Sequence, residues 1–370
     1  MAPDELEVVE VETFDSEKVV QALAGISDLE GLITSTDIWS LIALDAAEAL
    51  GLPRQNADAV RLVRDKARLR ERLHERGLSR GVSQPLSFGA TAEEVINQIS
   101  LPVILKDSAG VSSQNVWLAR SEQEIQNALD VAWGAPLRGA LFAETYFVGP
   151  IYSAETLGWD GHTRLLGVTS RLMSPEPTFL ELALAFPVSL PKEREERLAG
   201  WLSEVLKAVD YTHGFAHTEF ILTESGPEVV EINPRLAGAV VGEAICQTLE
   251  HNVYDAFFDL ALGCRPALMD MPLHPVRGHA QVLMFPETTG EFIGVEGWEQ
   301  LCGHPGDPVL YPVYSPGQHI EHLTDQRGAA AFVTATGETA EMALYNVMSA
   351  QGKLRVTMRQ GDKKPERQDG

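Results

Sequence analysis

The stretch Thr218–Leu236, TEFILTESGPEVVEINPRL, reads as two short strands around the turn signal T-E-S-G-P. A three-residue loop, Glu224-Ser225-Gly226, makes Thr223 oppose Pro227. Counting back then sets Glu219 across from Glu231, His217 across from Asn233, and Phe220 across from Val230. Strand residues two apart share a face, so His217, Glu219, Glu231 and Asn233 form one polar cluster while Phe220, Val230 and Ile232 cover a core. The reading depends on loop length: a two-residue loop shifts the register by one and sends the glutamates to opposite faces.

Two carboxylates opposed on a sheet repel each other, and the arrangement makes sense with a cation between them. Two carboxylates and an amide form an oxygen-only set that favours Mg²⁺ or Mn²⁺ over zinc. Mg²⁺ commonly shares its other positions with substrate phosphates, so the hairpin calls for a nucleotide site elsewhere in the chain. The plain alternative is a solvated pair of glutamates on an outward-facing strand. Arg235, just after E-I-N, weighs against it: its fork suits a phosphate or a carboxylate, or balances the pair.

Upstream, LPVILKDSAGVSS places Lys106 at the end of an apolar strand and before a loop, Ser108 to Ser113, rich in small and hydroxyl residues. Such a loop offers N–H groups and hydroxyls to phosphate oxygens, although it is not a Walker loop. Alone it reads better as an ordinary hairpin turn. Lys66, on the charged segment VRLVRDKARLRERLHERGL, has the plain reading of a solvated face, and Glu144, Tyr146 and Phe147 in FAETYFVG that of a strand with one exposed acid.

The 370 residues carry 53 acidic against 29 basic side chains, a formal net charge of -24. That field opposes nucleic acid, and no basic patch offsets it. Cys246, Cys264 and Cys302 show no zinc spacing and no even-numbered disulfide framework, which fits a reducing cytoplasm. The acidic start and the lack of an apolar run of roughly 20 residues argue against a secretory signal and membrane insertion.

Residues 1–84 read as a small α/β unit, with LEVVEV and GLITST as strands and SEKVVQALAGI and DIWSLIALDAAEALGL as helices, followed by one long charged helix closed by Gly77. Residues 85–149 read as a small unit around Lys106, residues 150–358 as a larger mixed sheet with helices, ending in short strands with Gly and Pro turns from about 275. Residues 359–370 read as a disordered tail.

Taken in order, these pieces resemble the ATP-grasp superfamily of carboxylate–amine ligases over roughly residues 30 to 345. The family pattern runs from a helix lysine, through a strand lysine with a small-residue loop and a hinge glutamate, to paired metal acids ending E-I-N-P-R. HTEF ahead of VVEINPRLAGAVVGE is most similar to L-amino-acid ligases, which form dipeptides or related amides. The resemblance implies an α+β/α/β ATP-grasp fold, with a truncated N-terminal α/β domain, a lid (85–149) and a core (150–358).

It also implies ATP between lid and core. Lys66 and Lys106 lie near the phosphates with Ser108, Ser112 and Ser113, Glu144 stands at the hinge, and Tyr146 and Phe147 flank adenine. Glu219, Glu231 and Asn233 hold Mg²⁺ or Mn²⁺. Arg235 and Lys106 stabilise the transferring phosphoryl group, and His217 orients a carboxylate or takes a proton. Arg277 is a further candidate for a substrate carboxylate, its plain reading being a surface ion pair.

The sequence departs from the pattern in several places. Ile151 stands where related enzymes often carry a ribose-binding glutamate, with Glu155 the nearest acid. Asp107 replaces a common proline, Asn115 a common glycine, and the N-terminal unit lacks a first strand with a Gly-rich turn.

The implied reaction activates a small carboxylate as an acyl phosphate, which an amine attacks. Its partners are small carboxylates and amines, and a homodimer stays open. The rivals are another ATP-grasp activity of purine-type metabolism, a non-catalytic ATP-binding module, and an unrelated α/β protein with exposed glutamates.

Overall fold

The computed structural model describes residues 7–238 and 240–359. Its N-terminal unit is helical: α1 (Ser16–Ala24), α2 (Ser40–Ala49), α3 (Ala57–Arg64) and α4 (Lys66–Glu75). No strand precedes Ser83 among the described residues, which corrects the α/β reading of this unit. Among the described residues, the alternation in residues 7–11 and in GLITST has no sheet edge to pair with, and strands without partners do not persist in water; Leu6 lies outside the described residues. The long charged helix is also two helices. Asp65 adopts an extended backbone and its carboxylate accepts the N–H groups of Ala67 and Arg68, ending α3 and capping α4. Gly77, at φ +69°, supplies the left-handed residue after α4.

The lid follows as β1 (Ser83–Pro85), α5 (Ala92–Ile96), β2 (Val103–Asp107), β3 (Val116–Ala119), α6 (Glu122–Ala132) and β4 (Leu141–Thr145). Its four strands form an antiparallel sheet in the order β1-β4-β2-β3. Val95, Leu105, Ile125 and Leu129 build its core. Central β2 is buried along its whole length, so the apolar run before Lys106 carries that lysine into the protein.

The body contains β5 (Ile151–Trp159), β6 (His162–Met173), β7 (Glu181–Phe186), α7 (Lys192–Ala208), β8 (Gly214–Thr223), β9 (Gly226–Asn233), α8 (Val241–Leu249) and α9 (Asp255–Ala261). It continues with β10 (Gly278–Met284), β11 (Gly290–Glu296), β12 (Val309–Pro312), β13 (His319–Ile320), β14 (Ala331–Gly337), α10 (Ala340–Gln351) and β15 (Arg355–Arg359). Helix α10 lies in the region expected to hold short strands only. Apart from Arg359, the expected disordered tail falls outside the described residues.

Eight strands form one antiparallel sheet in the order β12-β14-β10-β7-β6-β5-β8-β9, and β13-β11-β15 form a small third sheet. On one face of the large sheet Ala154, Val168 and Phe220 pack on Leu202 of α7. On the other, Leu157, Phe186 and Phe215 pack against Ile245 and Leu249 of α8 and Phe257 of α9. The rest of that second face lines a cleft with the lid. No helix among the described residues is long and apolar enough to cross a membrane.

The β8–β9 hairpin departs from the register count. Thr223 pairs with Gly226, so the loop is the two residues Glu224-Ser225. Phe220 pairs with Val229, and a bulge at Val230 then adds one residue to β9, restoring Glu219 opposite Glu231 and His217 opposite Asn233. The acids face each other because two offsets cancel. Val229, not Val230, enters the core, and Val230 lines the cleft.

Candidate active site

Lid and large sheet enclose a cleft of about 670 Å³, within the size range of small-molecule sites. On the sheet side, Glu219 and Glu231 face each other across β8 and β9. Each already has an internal cation: Arg171 of β6 pairs with Glu219, and Lys66 Nζ lies 2.9 Å from Glu231. Burial would raise the Glu219 carboxyl, but Arg171 and His217 hold it well below the usual carboxylate range. Glu231 is lowered too, burial and Glu219 being outweighed by Lys66 and Asn233. Asn233 Nδ2 donates to Glu231 Oε1 at 2.7 Å.

Two ionised carboxylates and an amide fit a hard divalent cation that completes its sphere with water and phosphate oxygens. No group of three or more His, Cys, Asp or Glu side chains is gathered for a metal among the described residues.

Opposite stands a cluster around Lys106. Lys106 Nζ is 2.6 Å from Glu144 Oε1, and Arg70 Nε donates to Glu144 Oε2 at 3.2 Å. Burial alone would raise Glu144, but Lys106 and Arg70 outweigh it and keep it ionised. Burial pulls Lys106 below its ordinary value, against the lift from Glu144. Lys66 Nζ also donates to the Gly110 carbonyl at 2.6 Å, so one helix lysine bridges the lid loop and Glu231.

Within the loop, Ser112 and Ser113 line the cleft, whereas Ser108 is buried and its hydroxyl accepts the Ala140 N–H at 3.2 Å. The two departures here have structural roles. Asp107 accepts N–H groups from Ala109, Arg138 and Gly139 at 3.0, 2.6 and 2.9 Å, tying the start of the loop to the segment that leads into β4. Asn115 takes φ +56°, a left-handed conformation that asparagine tolerates better than most residues.

At the hinge, Tyr146 and Phe147 line the cleft. Tyr146 donates to Glu176 at 2.5 Å, and Phe147 packs so closely on Gly81 that a Cβ there would come within 2.4 Å of its ring. Ile151 lines the cleft, while Glu155 is fully buried beneath it. Glu155 accepts from Ala237 N–H at 3.2 Å and sits 2.6 Å from His217 Nδ1. It serves His217, away from the cleft surface. Burial lowers the His217 imidazole, but Glu155 and Glu219 raise it, to about 9.

Arg235 lines the cleft with its guanidinium on Asp37, where Nε donates at 2.7 Å, and Arg64 reaches the same carboxylate at 3.4 Å. Arg277 is exposed and is not among the residues of the cleft wall, so it is set aside as a substrate contact.

The sequence reading missed several residues. Arg171 spans Glu219 and Glu181, Arg70 organises the hinge, and Asp37 holds Arg235. An inner wall also lines the cleft, where Thr169 Oγ1, Arg171 Nε, Gln281 Oε1 and Gln326 Oε1 are buried without a hydrogen-bond partner. An arginine in the strand TSRLM was the only local signal available for this wall.

Residues 99–243 match the family model of the ATP-grasp domain, and residues 282–359 match that of L-amino acid ligase C-terminal domain 2. The chain is 25% identical over 350 residues to the uncharacterized protein y4rH of Sinorhizobium fredii, covering 93% of this chain and 72% of that protein. It is 24% identical over 275 residues to carnosine synthase 1 of Homo sapiens, covering 68% of this chain but only 32% of the synthase. In fold it is similar to the L-amino acid ligase of Bacillus licheniformis, with a TM-score of 0.82 at 20% identity over 95% of this chain and 87% of that one.

Proposed function

The chain belongs to the ATP-grasp superfamily, and from that premise we propose that it joins a small carboxylate, an amino acid or a close relative, to an amine. The observation that carries this reading is the pair of facing acids, Glu219 and Glu231, in one cleft with Lys66 and Lys106. The reaction transfers the γ-phosphoryl group of ATP to a carboxylate oxygen, giving an acyl phosphate and ADP. The amine nitrogen then attacks the acyl carbon, phosphate leaves, and the nitrogen gives up a proton.

Residue roles follow from position. Lys106 and Lys66 neutralise phosphate oxygens, and the Ser112–Ser113 turn closes over them. Tyr146 and Phe147 bound the base. Glu219, Glu231 and Asn233 would hold Mg²⁺ or Mn²⁺, which when bound neutralises charge on the triphosphate. Nucleotide binding draws Lys66 and Arg171 from the acids toward phosphate, freeing those acids. Arg235 meets the reacting carboxylate or phosphoryl group, and His217, held by Glu155, faces the same place.

The inner wall supports an amino-acid substrate. Buried amide oxygens at Gln281 and Gln326 would accept from an ammonium, and such groups favour a polar ligand because leaving them unpaired is costly. ATP supply and the free thiols of Cys246, Cys264 and Cys302 fit a cytoplasmic setting.

The test is ADP and phosphate release with a panel of amino acids and small carboxylates, offered singly and in pairs. The expected outcome is amine-dependent phosphate release with a matching amide product. Magnesium-dependent ATP binding without turnover on any pair would instead favour a non-catalytic module.

A further inference from the structure

Arg70 carries no role in the reaction described above, yet it is 3% exposed and its guanidinium meets three parts of the fold. Nε donates to Glu144 of the lid at 3.2 Å, and Nη1 to the Ser79 hydroxyl at 3.0 Å, with Glu228 at 3.6 Å. Nη2 donates to the carbonyl of Val229 on β9, and the group lies over the Phe147 ring at 5.0 Å.

Two of these contacts lead directly to the chemistry. Glu144 is the carboxylate on Lys106. Val229 immediately precedes the bulge residue Val230, the residue that sets Glu231 opposite Glu219. Lys66, one turn earlier on α4, points into the same cleft and holds Glu231 itself.

We propose that Arg70 is a positioning residue, fixing Lys106 through Glu144 and Glu231 through the Val229 carbonyl, so that the phosphate-side cation and the metal-side acid keep one spacing. A buried arginine is costly unless its donors are used, and a planar fork can serve two directions at once where an ammonium cannot. The inference rests on the cleft being the ATP and metal site.

The test compares Arg70→Met, Arg70→Lys and Glu144→Gln in the full chain, with Arg72→Met as control. Arg72 lies on the same helix but reaches only the Ala208 carbonyl at 3.4 Å and the exposed Glu75. The readouts are thermal unfolding and, below the melting temperature of each variant, calorimetric binding of ATP and of Mn²⁺ with ATP, kcat and KM. Arg70→Met is expected to lose about 10- to 100-fold in both ATP turnover and metal affinity. Glu144→Gln is expected to lose turnover while keeping its metal dependence, because the Val229 branch is intact. Arg70→Lys recovers part of one branch, and Arg72→Met changes stability alone.

An Arg70→Met protein that matches wild type in turnover and metal dependence, or that is indistinguishable from Glu144→Gln, overturns the inference. Should Arg70→Met not fold, Arg70→Lys decides: wild-type metal dependence in that protein overturns it equally. A wild-type chain without metal-dependent ATP binding removes the functional reading, and this inference with it.

Discussion

The two sides of the cleft are built differently. On the hinge side each of the charged groups Lys66, Arg70, Lys106 and Glu144 has a protein partner, and buried Glu144 is shared by two cations. On the inner wall Thr169, Gln281 and Gln326 each bury a polar atom with no partner. Buried charges must be paired in the free protein, since leaving one alone costs several kcal/mol. An unmet neutral group is cheaper, at about 1–3 kcal/mol, and a ligand recovers that cost on binding. The hinge side is therefore organised before substrate arrives, and the inner wall is completed by it.

The largest effect expected on this contrast is at the acids. Glu231→Gln keeps shape and the Asn233 neighbour but removes a charge that faces Glu219, so ATP turnover at saturating metal should fall about 10³-fold. Near wild-type turnover would dissolve the metal assignment and the contrast with it. Next is Glu144→Gln, which leaves Lys106 and Arg70 sharing a neutral amide in a buried place. Denaturant unfolding should show a loss of about 3–5 kcal/mol, and a loss below 1 kcal/mol would mean that the hinge charges are solvated.

How these sides could be read from sequence also differs. Lys106 and its loop were a weak signal alone and gained weight only from the order of the motifs, whereas the hairpin stood out because strand alternation and a turn signal occur within one short segment. Its register was reached through a loop one residue too long, offset by a bulge that no local pattern announces. The inner wall was hidden for a different reason. Arg171 lies opposite Leu184, and Leu184 opposite Gln281, so β6 and β7 join the distant β10 in one row only after the sheet forms. Asp37 reaches Arg235 across 198 positions, and nothing near either residue signals it. The N-terminal strands were misread because alternation alone does not provide a sheet partner.

The unmet character extends along β10 to His279, two residues before Gln281, whose Nδ1 is buried without a partner. Burial lowers its imidazole from 6.5 to about 4, with Glu243 opposing weakly. Between those values the unfolded chain binds a proton that the folded chain excludes. Stability therefore falls as pH drops from 6.5 toward 4 and is unaffected by this group above 6.5. The loss reaches at most about 3 kcal/mol. Unfolding curves across this window should flatten in His279→Leu relative to wild type, and an unchanged slope would assign the acid sensitivity to other groups.

The smallest effect sharpens the contrast most. Gln281→Leu removes a buried amide whose oxygen has no partner, so stability should hold within about 1 kcal/mol or rise. The amino-acid substrate loses an acceptor, and its KM should rise about tenfold, while KM for ATP stays fixed because the hinge side is untouched. Glu144→Gln predicts the reverse on stability, a clear loss. If Gln281→Leu instead destabilised the fold and left every KM unchanged, the inner wall would be ordinary structure, and substrate would have to be sought nearer Arg235 and His217.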